Sequence, residues 1–96
     1  MVERVNKAAE DAFENFWQMP LNDEHRANNK SKWGADICNL PASRFGGSPS
    51  AAAFLEAFIE DNRPWVHMDI SGPANFNEKE QGGFGAKTLL YLINNL

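Results

Sequence analysis

A single apolar run, Trp65-Val66-His67-Met68-Asp69-Ile70, held between Pro64 and Ser71-Gly72-Pro73, is the segment that most restricts how this chain folds. Its length and flanking turn residues read as a β-strand, with Val66, Met68 and Ile70 on one face and Trp65, His67 and Asp69 on the other. A strand alone leaves its backbone N–H and C=O groups without partners. Either the vicinity of Leu40 supplies a second strand, or the partners come from sequence outside these residues. The pattern implies a piece of a larger sheet-containing body.

The remaining segments read mainly as helix. Val2, Val5, Ala9, Ala12, Phe13 and Phe16 recur at three- and four-residue intervals with charged residues between them, predicting an amphipathic helix over 2–17 that Pro20 stops. Residues 21–32 are polar and read as either a solvated helix or a long loop. Residues 33–47 read as loop, with a short strand or turn near Asp36 to Asn39. Ser48 as N-cap with Pro49 at the first helical position opens a largely buried helix that Glu60, Asp61 and Asn62 close. A second loop spans 73–85, with glycines at 82, 83 and 85, and Lys87 to Leu96 forms a C-terminal helix. The expected order is helix, loop, helix, strand, helix, an α/β chain.

With 96 residues, one domain is the expectation, so 1–96 is read as a single unit. Six basic stand against seven acidic residues in 1–48, and three against six in 49–96. Neither half offers the basic surface that nucleic acid or an anionic membrane demands. No apolar stretch approaches the ~18 residues needed to span a bilayer. The lone Cys38 forms no internal disulfide, and the N-terminus has no apolar signal core, so a reducing cytoplasmic compartment is expected.

Few residues suggest chemistry unaided. His67 and Asp69, at i and i+2 on a strand, reach the same side, but two ligands do not make a metal site. The plainer reading is a buried His bonded to backbone, with Asp69 capping a nearby loop or helix. His25, among Asp23, Glu24 and Arg26, reads as surface. Gly82-Gly83-Phe84-Gly85 before a helix is a weak anion-binding pattern to which Lys87 adds a charge, with no Walker-type continuation. A Gly-rich connection into a packed helix accounts for it more economically. Cys38 has no neighbouring base, no G-x-S-x-G surrounds any serine, and the acidic residues read as spread over solvated helix faces.

Three blocks nevertheless stand together: Trp-x-Met-Pro-Leu at 17–21, Gly-Gly-x-x-x-Ala-Ala-x-Phe-Leu at 46–55, and Trp-x-His-x-Asp-Ile-x-Gly at 65–72. With WGADICNL between the first two and GGFGAKTLLYLI after the last, they resemble in order and spacing the C-terminal part of the leucyl (cytosol) aminopeptidases, from about Phe13 to Ile93. The resemblance implies the C-terminal portion of an α/β/α sandwich in a two-metal exopeptidase, with a zinc, manganese or magnesium pair and usually a hexameric assembly. Two metals clamp an attacking water and polarise the scissile carbonyl. In that family the ligands are a lysine and several carboxylates, and an arginine ends an Asn-Thr-Asp-Ala-Glu-Gly-Arg motif; all precede the part matched here.

No such motif occurs in residues 1–96, so the resemblance implies no metal and no catalytic residue in this chain, and an isolated chain without activity. By position, Ser71 and Ala74 match residues that help line the family's specificity pocket, where the family usually has Ala and a larger residue. Phe84 and Ala86 replace the family's Thr and Arg, and one extra residue lies between Asn39 and Arg44. The implied partners are the rest of the catalytic domain or further copies of the chain, with peptide as substrate of the full-length enzyme only. Two other readings are a non-catalytic binding or assembly module on the same scaffold, and a small metal site on His67 and Asp69.

Overall fold

The computed structural model describes residues 1–74 and 82–96. Among these residues five helices follow one another: α1 (Val2–Ala12), α2 (Asp23–Asn28), α3 (Gly47–Glu56), α4 (Ser71–Ala74) and α5 (Ala86–Asn94). They fall into two compact units, one made of Met1–Gln18 with Met68–Leu96 and the other of Met19–His67.

In the first unit α1 packs against α5. The three- and four-residue spacing buries Val5, Ala8, Ala9 and Ala12, and α5 buries Thr88 and Leu92. Lys7 and Asp11, one turn apart on α1, pair at 2.8 Å. α1 ends earlier than the expected residue 17. Phe13 adopts left-handed backbone, φ 56° and ψ 35°, and its N–H and that of Glu14 close on the carbonyls of Glu10 and Ala9. The apolar period continues to Phe16, but the chain has already turned. Glu14 then bonds to residues at the start of α5, and the Phe16 ring meets Phe84 at 5.2 Å. Tertiary contacts override the helical period here.

In the second unit α2 packs against α3. α2 realises the helical alternative for 21–32 and begins with a reciprocal cap. The Asn22 side chain accepts the N–H groups of Glu24 and His25, and His25 Nδ1 accepts the Asn22 N–H. Asn29, fully buried at the end of α2, donates through Nδ2 to the Ser50 carbonyl at 2.7 Å, and its own carbonyl accepts the Cys38 N–H. An isolated antiparallel bridge between Lys30 and Ile37 completes the connection, close to the short strand or turn expected at 36–39.

α3 starts before the expected Ser48–Pro49 junction. Gly46, at φ 65°, is the N-cap and Pro49 the third helical residue, where no intrahelical partner is lost because first-turn N–H groups have none. It also ends earlier, at Glu56, and Asp61 and Asn62 turn in left-handed geometry beyond it.

The strand expected at 65–70 is corrected. Trp65 to Ile70 form no regular element, and the described residues contain no β-ladder. The physical reason lies in the pairing requirement itself, since no neighbouring strand is present among the described residues to take up the backbone groups. The described chain is thus mostly helical. Of the loop expected over 73–85, residues 75–81 lie outside the described residues.

Candidate functional site

In the first unit, three features converge on the N-terminus of α5. The first is the Gly82-Gly83-Phe84-Gly85 turn, in which Gly85 at φ 89° serves as N-cap. The second is an acid that sequence reasoning had placed on a solvated helix face. Glu14 Oε2 accepts the Gly85 N–H at 3.1 Å, the Thr88 N–H at 3.3 Å and the Thr88 hydroxyl at 2.6 Å. The anion that a Gly-rich helix start attracts is therefore part of the protein. Burial raises the Glu14 pKa, but the hydrogen bonds from Thr88 and Gly85, helped by the Lys87 charge, outweigh it and hold the carboxyl below its ordinary value.

The third feature is Ile70. A Cβ built on Gly85 would stand 3.6 Å from Ile70 Cγ2, so the end of the 65–70 segment lies against the glycine turn. α4 follows Ile70 directly in the chain. Asp69 Oδ1 accepts both the N–H of Ser71, at 3.0 Å, and its hydroxyl, at 2.7 Å. The Ala74 N–H closes the turn on the Ile70 carbonyl at 2.9 Å. Ser71 and Ala74, three residues apart on one helical turn, thus share a face, and both are exposed. Asp69 takes the capping role the plainer reading gave it, whereas His67, which that reading buries, is half-buried.

The other candidates separate from this cluster. His25 is half-buried rather than a surface residue, because it is bound into the α2 cap and its Cδ2 would lie 3.5 Å from a Cβ at Gly46. The Cys38 thiol donates to the Leu40 carbonyl at 3.0 Å. Arg26 links α2 to α3 through a two-pronged contact with Glu56, Nε to Oε2 at 2.7 Å and Nη2 to Oε1 at 3.1 Å, and its Nη1 reaches Asp23 at 2.9 Å. The hydrogen bonds to Glu56 and then Asp23 raise the Arg26 pKa, and the same contact lowers that of Glu56 against the opposing effect of burial. A groove of about 280 Å³ between α1 and α5 is lined in part by Arg4, Lys7, Asp11 and Tyr91.

The described residues do not assemble a two-metal centre. Among the described residues no group of three or more His, Cys, Asp or Glu side chains is placed to hold a metal ion. No helix of the described residues is long and apolar enough to cross a membrane.

The sequence model of the cytosol aminopeptidase family, catalytic domain, matches residues 1–90. Among curated proteins, a probable cytosol aminopeptidase of Rippkaea orientalis is 43% identical over 94% of this chain and 19% of its own length. One from Desulfotalea psychrophila is 42% identical over the whole chain and 20% of its own length. One from Aquifex aeolicus is 37% identical over 95% of the chain and 20% of its own length. The chain spans about a fifth of these relatives and matches their C-terminal part. No solved structure gives a significant match.

Proposed function

Because the chain belongs to the cytosol aminopeptidase family, we propose that it forms the C-terminal part of a two-metal aminopeptidase catalytic domain and releases no amino acids by itself. The observation that carries this reading is the match over residues 1–90 to a catalytic domain, in relatives of whose length about four-fifths lies outside the matched part. The divalent pair, zinc, manganese or magnesium, and the groups that activate water on it belong to that further sequence. This chain contributes frame. Trp65 to Ile70 pairs as a strand of an α/β/α sandwich once neighbouring strands are present. α4 then follows the strand, and Ser71 and Ala74, on one face of its single turn, line the pocket for the substrate's N-terminal side chain. A cytoplasmic location and an oligomeric enzyme complete the proposal.

Leucine amide hydrolysis by the purified 96-residue chain, with Mn²⁺ or Zn²⁺ added, tests it. No turnover is expected, and clear turnover that follows the chain through purification sinks the reading.

The exposed apolar side chains, Phe13, Trp17 and Trp33 foremost, favour a second reading, a non-catalytic binding or assembly module. Light scattering separates the two: a stable oligomer of the 96-residue chain supports the module, and a monomer across concentrations counts against self-association.

A further inference from the structure

α5 is apolar on two sides. Thr88 and Leu92 face inward, buried in the unit that α5 forms with α1. Leu89, Leu90, Ile93 and Leu96 recur at helical spacing on the outer side and are 46%, 59%, 65% and 68% exposed. From Ala86 to Leu96 the only charged side chain is Lys87. A helix apolar on both its inner and its outer side belongs inside a larger body, because a free surface gains nothing from a row of Leu and Ile.

The face is also ready-made. Glu14 caps the start of α5 and α1 holds its other side, so a partner need not pay to order the helix before binding it. The other strongly exposed aromatics, Phe13, Trp17, Trp33 and Phe45, lie outside the helices and offer no such regular face.

What covers the face follows from chain length. The curated relatives carry this same portion within chains about five times as long. Resting on the reading under Proposed function, we infer that the Leu89-Leu90-Ile93 face of α5 is the docking surface for the remaining four-fifths of an aminopeptidase-type chain. The occupant presents an apolar surface of its own. An acidic or basic partner would find no opposite charge along these residues, and a nucleic acid no cationic groups beyond Lys87.

The test co-expresses the tagged 96-residue chain with the Aquifex aeolicus relative shortened by its matched C-terminal fifth. A complex is expected to co-purify. The double substitution Leu90→Glu with Ile93→Glu should weaken it ~100-fold or more, with far-UV dichroism of the free chain unchanged. Ile93→Ala alone, which favours the helix itself, should weaken it about tenfold. If the complex forms equally well with both variants, the docking face is wrong and the fragment reading survives. If the unaltered chain forms no complex, both fall. If the chain instead pairs with its own copy through this face and leaves the shortened relative unbound, the inference is overturned.

Discussion

The carboxylate of Glu14 accepts the hydroxyl of Thr88 at 2.6 Å, joining the segment after α1 to the first turn of α5 across 74 residues of sequence. The same oxygen takes the N–H groups of Gly85 and Thr88, so one side chain satisfies three donors at a helix start whose N-cap, Gly85, has no side chain to accept them. Thr88 is completely buried. Glu14→Ala therefore leaves donors that water reaches poorly, and is expected to cost about 1–2 kcal/mol of unfolding free energy. Urea denaturation checks it, and an unchanged midpoint would show the contact contributes nothing.

The acid dependence of that contact has a definite sign. The folded-state pKa of Glu14 lies below its ordinary value of 4.5, so the contribution is complete above that pH. It is lost as pH falls through the depressed folded value. Wild type should exceed Glu14→Gln in stability by a constant margin near neutrality, with the margin shrinking in acid below 4.5. Glu56 titrates in the same direction but is common to both proteins and cancels. Thermal melts of the two chains from pH 7 to pH 3 measure the margin; one that grows in acid contradicts the assignment.

Arg26 and Glu56 should behave as a unit. Arg26→Lys keeps the charge but cannot reproduce the two-pronged geometry, so α2 amides are expected to exchange several-fold faster with solvent. Glu56→Gln should do the same, and the double substitution should add little more. Because the pair is partly exposed, the wild-type advantage should fall at high salt. Hydrogen exchange followed by mass spectrometry reads all three, and unaltered α2 exchange in Arg26→Lys would refute the coupling.

Gly85 supports the start of α5 in two ways, through left-handed backbone and through closeness to Ile70. Gly85→Ala puts a Cβ into ordinary contact with Ile70 Cγ2, so the penalty arises from φ alone and is about 1–2 kcal/mol. Chemical denaturation checks it. Stability equal to wild type would mean the backbone relaxes without consequence.

Much of the framework could be read from the residues, and its failures share one cause. The Ser48-Pro49 start with the apolar segment after it placed α3, the apolar run after the glycine turn placed α5, and periodicity placed α1, because each is a local pattern. Periodicity overran α1 by five residues because the turn at Phe13 answers to contacts with Gly85, Thr88 and Phe84 near the other end of the chain. Glu14 looked solvated for the same reason, since nothing near it in sequence announces a helix start 71 residues away. The Gly-rich loop reads foremost as a connection into a packed helix and only weakly as an anion site, and the carboxylate it receives is the chain's own Glu14. The run 65–70 has the composition of a strand but lacks the neighbour that makes one. Ser71 and Ala74 were legible only through the family resemblance, and Asp69 was foreseen as a cap.

The central claim is that this chain frames an aminopeptidase site and does not itself hold the metals. Calorimetric titration of the purified 96-residue chain with Mn²⁺ tests it most directly. The account predicts no saturable heat beyond dilution. Saturable binding at a fixed stoichiometry, abolished by substituting His67 and Asp69, would contradict it.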